Sequence, residues 1–338
     1  MSQASQSISD LLALKETSQN EYTTLHNPER MGNSLNIAYG GFALAVATKS
    51  ACLSVPPDYY LYTIMGTYLG PALTDRPLLS SISTIRQTRT FATRSITVSQ
   101  QQDDGSKRAC LHAIADFQIP EPRSLLQYSA PPTKPYTHHS QASDGATLKQ
   151  RMVAAGTISQ AVADAHTKGF GLLSRVFDIR PAPEGIMTQN LTGMMKHLPT
   201  SQDALPMHEK SHADWFRARR PLPSYVDQVA ALAFLMDAAI SFAPLTFCGL
   251  FLEDSRVCSS LDFALRVCVG GGGEGDGDGV RLDRWCLKEI TTVVGGAGRT
   301  FSEARLFDGE GVCVASLSQQ SILRPREEGG EQVGKGKL

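Results

Sequence analysis

The sequence lacks most of the features that announce a chemistry by themselves. Its 338 residues include two tryptophans and seven scattered cysteines, Cys52, Cys110, Cys248, Cys258, Cys268, Cys286 and Cys313, with no Cys-x-x-Cys pair. An odd number without ligand spacing excludes a zinc ribbon and a secreted disulfide framework, and leaves reduced thiols packed in a core. Neither sign of charge is in excess: 32 Lys and Arg stand against 33 Asp and Glu, a formal net charge of -1. Such a chain has no global attraction for nucleic acid or for an anionic membrane. The short basic cluster at 217–221 sets no overall field. The first ten residues show no basic region followed by an apolar run, so no secretory signal is read and the sequon at 190–192 carries little weight. Gly-x-Ser-x-Gly does not occur, which removes the nucleophile elbow of an α/β-hydrolase.

Long apolar runs are scarce too, with one exception. From Val229 to Leu252 there is one charge, Asp237. The length of about 24 residues would span a bilayer. Asp237 would then lie near the bilayer centre at a cost of about 2.5–3.5 kcal/mol, and Pro244 interrupts the run. The stretch therefore reads as a buried helix of about 16 residues stopped by Pro244, with a buried strand over 245–253 after it. The helix carries a bulky stripe of Val229, Leu232, Leu235, Met236, Ala239 and Phe242. A second stripe of small residues, Ala230, Ala233 and Ser241, surrounds Asp237. A lone carboxylate in such a helix costs several kcal/mol unless it is bonded or neutralised. Either backbone donors or an arginine satisfy it, or it stands in a site that its small neighbours keep open.

What surrounds this run is organised as two similar halves. In the first, 39–55 reads as a buried helix, followed by strand candidates with Asp104-Gly105 as a hairpin turn. In the second, the Asp237 helix precedes another set of strands, with Asp308-Gly309 as the turn. "RTFATRSITV" (89–98) echoes "RTFSEARLFD" (299–308), and "ACLHAIADFQIPEP" (109–122) echoes "VCVASLSQQSILRP" (312–325). A spacing of roughly 200 residues indicates a duplicated domain and not a solenoid. The expected boundaries are an N-terminal tail over 1–20, a first unit over 21–122, a Pro- and Ser-rich linker over 123–165, a second unit over 166–325 and a C-terminal tail over 326–338. The acidic glycine loop at 270–279 stands as a single copy and lacks the ligand number a calcium site needs.

Taken in order, several segments resemble the type II acyl-CoA thioesterases. They are "YGGFALAVATKSA", "YLGPALTDRPL" and "RTFATRSITVSQ" in the first half, and "AALAFLMDAA", "SSLDFALRV" and "VASLSQQSILR" in the second. The resemblance implies an α+β double hot-dog, two tandem units each with a long buried helix wrapped by a curved antiparallel sheet. It implies hydrolysis of an acyl thioester to free acid and CoA, with acyl-CoA as partner and no cofactor or metal. In that family an Asp, a Thr or Ser and a Gln hold and activate a water. These roles fall on Asp237, Ser260 and Gln319. Physical chemistry is consistent with them: burial raises a carboxylate's pKa and makes it a better base, and a hydroxyl and a carboxamide orient water without charge. Gly40 and Gly41, opening the first long helix, would let a substrate carbonyl approach the backbone, or serve tight helix–sheet packing. The first half offers Thr48 and Gln118 where the second has Asp237 and Gln319, so one site per chain is expected.

Departures from the family pattern bear on substrate more than on chemistry. "YTIMGTYLGPA" stands where a His-rich lead-in is usual, and "DFALRVCVGGG" replaces an aromatic and basic run. A thioesterase releasing a polyketide-type or other biosynthetic acyl group, or a catalytically silent acyl-thioester binder, therefore stands beside the acyl-CoA hydrolase of fatty acid metabolism. A lyase on the same fold would need a His–Asp pair near the helix, and the sequence places no His close to either one. The last residues, Gly-Lys-Leu, differ by one from the Ser-Lys-Leu peroxisomal address. The resulting expectation is an intracellular protein, cytoplasmic or peroxisomal, with no membrane span and room for homo-oligomerisation.

Overall fold

A computed structural model describes residues 6–121, 123–269 and 279–326. The C-terminal Gly-Lys-Leu and nearly all of the 270–279 loop lie outside them. The first half contains α1 (Ile8–Leu11), β1 (Leu14–Ser18), β2 (Glu21–Thr24), α2 (Gly40–Leu53), β3 (Tyr60–Tyr68), β4 (Leu79–Gln87), β5 (Phe91–Gln101) and β6 (Lys107–Gln118). Helices α3 (Gly145–Ala154) and α4 (Gln160–Phe170) follow. The second half contains α5 (Leu172–Val176), β7 (Phe177–Pro181), α6 (Ile186–Gln189), β8 (Ser211–Ala218), α7 (Tyr225–Met236), α8 (Ala243–Phe247), β9 (Ser255–Ser260), β10 (Asp262–Val267), β11 (Cys286–Gly296), β12 (Arg299–Phe307) and β13 (Cys313–Pro325). Residues 8–18, read from sequence as part of a tail, thus form α1 and β1, with Leu11 and Leu12 buried and Leu14 paired to Thr24.

The strands form one sheet in the order β1-β2-β4-β5-β6-β3-β10-β13-β12-β11-β8-β7, with β9 beside β13. Every neighbouring pair is antiparallel, and the halves join where Asp262–Arg266 of β10 pair with Thr67–Thr63 of β3. The sheet wraps two helices. α2, "GGFALAVATKSACL", is small and apolar nearly all round, and residues 41–48 are buried. A helix with no polar face must be covered on every side. Sheet covers part of it and α7 the rest. Tyr39, which caps the start of α2, donates to Phe234 O near the end of α7 at 2.5 Å, while Lys49 near the end of α2 pairs with Asp227 at the start of α7 at 2.9 Å. The two helices therefore run antiparallel, and the N-terminus of α2 meets the C-terminus of α7. This is a double hot-dog, as the family resemblance implied.

The apolar run around Asp237 folds differently from its sequence reading. α7 ends at Met236, not at Pro244, and Asp237 is its C-cap. Ala239 follows in the left-handed region (φ 68°), a conformation that costs a residue with a Cβ about 1–2 kcal/mol. Pro244 does not stop a helix but starts one: it sits in the first turn of α8, where its missing N–H is no loss. The expected strand over 245–253 is instead the rest of α8, a turn at Gly249 (φ 72°) and a 3-10 turn over 252–254. Among the described residues no helix is long and apolar enough to cross a membrane. In the second hairpin the left-handed residue is Gly311 (φ 85°), two positions after the Gly309 that the sequence suggested. Two thiols expected in the core, Cys248 and Cys268, are exposed.

Candidate active site

Helix geometry builds the site. The first N–H groups of α2 and the last carbonyls of α7 have no partners within their helices, and the antiparallel packing brings these two ends together. Asp237 stands at that junction, 5% exposed. Its Oδ1 accepts from Gln319 Nε2 at 2.9 Å and from Tyr68 OH at 3.1 Å. Two side-chain donors to a charged group return roughly 3–6 kcal/mol, of the same order as the effective desolvation penalty of several kcal/mol. Burial pushes the Asp237 carboxyl above the usual carboxylate range; the Gln319 amide, the Tyr68 phenol, the Lys288 charge and the Gly41 N–H pull it part of the way back.

The glycines are fitted to this junction. A Cβ at position 40 would come 3.0 Å from Asp237 Oδ2 and 3.4 Å from the Tyr68 ring. At position 41 it would fall 2.4 Å from the Tyr39 ring, so no side chain fits there without rearrangement. Oδ2, the oxygen that receives neither Gln319 nor Tyr68, is thus the one that faces the open Cα of Gly40.

Gln319 lies on the inward face of β13, 1% exposed, and Ser321 two residues on shares that face. The Ser321 hydroxyl donates to Gln319 Oε1 at 3.4 Å, which turns the amide N–H group toward Asp237. Ser260, the last residue of β9, pairs with Ser321 and so points to the same face. It is half-buried, and among the described residues its hydroxyl bonds neither Asp237 nor Gln319. The strand break at Leu261 matters for this placement: Leu261 O accepts from Tyr68 N at 2.9 Å, tying the end of β3 to the residue after Ser260. Tyr68 packs edge-on to Phe263 with ring centroids 5.6 Å apart.

Three features escaped the sequence reading. Tyr68 sits in the quoted "YLGP" segment but nothing local marks it as a donor to Asp237. Lys288 does carry a signal, being a lysine on the same strand face as the apolar Cys286 and Ile290. A His–Asp pair also forms, which the sequence reading did not place: His212 Nε2 lies 3.0 Å from Asp214 Oδ2 on the inward face of β8. A Cβ at position 185 would fall 2.5 Å from His212 Nδ1, so the chain at Gly185 runs close to the ring. In the first half, Thr48 donates to Leu44 O within α2 and Gln118 ends β6, so neither meets a buried carboxylate as Gln319 does.

Comparisons with known proteins agree with this architecture. Residues 27–118 match the family profile of the acyl-CoA thioesterase N-terminal domain, and 163–323 match that of the acyl-CoA thioesterase C-terminal domain. Acyl-CoA thioesterase 2 of Haemophilus influenzae is 21% identical over 287 residues, covering 85% of this chain and 87% of that protein. Among solved structures, the acyl-CoA thioesterase II TesB2 of Mycobacterium marinum superposes with a TM-score of 0.62 at 20% identity, covering 95% of this chain and 99% of that one. A conserved hot-dog protein of unknown function from Alicyclobacillus acidocaldarius gives 0.63 at 14% identity, covering 95% and 98%. With both halves matched in order, the chain belongs to the type II acyl-CoA thioesterase family and is a thioester hydrolase.

Proposed function

We propose that the chain hydrolyses acyl-CoA to free acid and CoA, with Asp237 as general base and then general acid, Gln319 orienting the nucleophilic water together with Ser260, and the Gly40–Gly41 backbone receiving the thioester carbonyl. The observation that carries this reading is a single buried carboxylate, held by a carboxamide, at the meeting point of two helix ends. Asp237 Oδ2 takes a proton from water as the water oxygen bonds to the thioester carbon. The carbonyl oxygen becomes an oxyanion beside the N-terminal turn of α2, where N–H groups and the positive end of the helix dipole favour negative charge. The carbon–sulfur bond then breaks, and the proton on Asp237 passes to the leaving thiolate. Because the base must be ionised and burial holds its pKa high, activity should rise with pH through a range above that of an ordinary carboxylate.

The test is kinetic. A panel of acyl-CoAs with a thiol reagent reports CoA release and ranks acyl groups. In Asp237→Asn, the loss of general base catalysis should lower kcat by about 10²–10⁴-fold in a folded protein. Turnover at the wild-type rate in that variant would remove Asp237 from the chemistry.

A further inference from the structure

With Asp237 as the base, one buried cation beside it has no role in the mechanism above. Lys288 lies on the inward face of β11, 3% exposed, at the register position opposite Asp214 of β8 and Leu306 of β12. Its Nζ donates to Leu235 O at 2.8 Å and to Ala238 O at 2.6 Å, carbonyls on either side of Asp237 in the chain. Any neutral donor could satisfy those two carbonyls. A buried ammonium costs several kcal/mol unless nearby negative charge offsets it, and among the described residues Lys288 has no direct carboxylate contact. It stands at the negative end of the α7 dipole and within Coulomb reach of Asp237.

We propose that Lys288 is a positioning residue for thioester hydrolysis: it closes the turn that presents Asp237, and its ammonium keeps that carboxylate ionised. This rests on the reading of Asp237 as the base. The groups facing Lys288 are Asp237 from the end of α7 and Asp214 from β8, with His212 bonded behind Asp214 and the phenols of Tyr39 and Tyr68 beyond Asp237. Burial draws Lys288 down to about 7 against the opposing pull of Asp237 and Asp214. Each charge thus favours the ionised form of the other.

The test compares Lys288→Met, Lys288→Gln, which keeps two N–H donors, and Lys288→Arg, which keeps the charge. In a folded neutral variant, the acid limb of the kcat/KM profile should move up by about one pH unit or more, and Lys288→Arg should return it to the wild-type position. A purely structural lysine would lower the rate and leave the limb in place, and that result overturns the proposal. Independently of the Lys288 variants, ¹³C NMR titration of the Lys288 side chain can be run in the wild-type protein and in folded Asp237→Asn. The Lys288 midpoint should fall when the carboxylate is removed; an unchanged midpoint overturns the proposal as well. If Asp237→Asn hydrolyses acyl-CoA normally, the reading of the base has failed. If that variant is inactive while limb and midpoint stay fixed, only the role of Lys288 has failed.

Discussion

The two long helices have similar compositions and opposite endings. α2 runs unbroken for 14 residues, and Thr48, fully buried within it, spends its hydroxyl on Leu44 O one turn back at 2.8 Å. α7 stops after 12 residues, and the residue at its end is a carboxylate. A polar group inside a continuous helix can satisfy itself locally. One at a broken end is instead exposed to the neighbouring elements, and here β3, β11, β13 and the start of α2 each supply a donor or a charge. The first half keeps the hot-dog helix as structure; the second half ends it early and gains a buried acid.

The most direct way to break this comparison is to move the acid. Thr48→Asp would bury a carboxylate in the first helix without donors, and denaturant unfolding should show a loss of about 3–5 kcal/mol. Unchanged stability would mean that the first half could have hosted the acid and that helix ending is irrelevant. Next in size, Gln319→Ala removes the amide that aligns Asp237, and kcat should fall by about 10- to 100-fold with KM little affected; a change in KM alone would assign Gln319 to substrate binding. Tyr68→Phe removes one donor to the ionised form, so the Asp237 pKa should rise further and the acid limb of kcat/KM should move upward by about half a pH unit. A downward shift would mean that Tyr68 favours the protonated acid. The smallest effect is expected at the turn itself. Ala239→Gly relieves the left-handed penalty, partly offset by backbone entropy, and should stabilise the protein by about 0.5–1 kcal/mol in a thermal melt. A destabilised variant would show that the Ala239 methyl contributes packing that outweighs the strain.

Much of this was legible from residues. The turn residues Asp104-Gly105 and the duplicated order of helix and strands were readable because side-chain period and turn chemistry are local properties, and the family resemblance supplied the double hot-dog. Asp237 was conspicuous because a carboxylate among 23 uncharged neighbours in 229–252 is costly wherever it ends up. The end of its helix was misread for an equally local reason. Pro244 looked like a stop, but proline is also tolerated in a first turn; the helix ends instead at Met236, and Asp237 and the turn beyond it meet Lys288, Gln319 and Tyr68, which lie 51, 82 and 169 positions from Asp237 in the chain. Lys288 shows the same limit: its face was readable from strand alternation, its target was not.

Beyond the wrapped-helix architecture that the family resemblance implied, the sequence by itself determined that two buried helices would each be followed by strands, and that one helix would carry an acid. These follow from hydrophobic periodicity, from turn residues and from the cost of a lone charge. Only the tertiary structure decided that the helices run antiparallel, that the start of one meets the end of the other, and that a carboxamide, a phenol and an ammonium converge on Asp237. Those contacts depend on register and packing between distant segments, and burial sets the carboxylate's basicity only once they have formed.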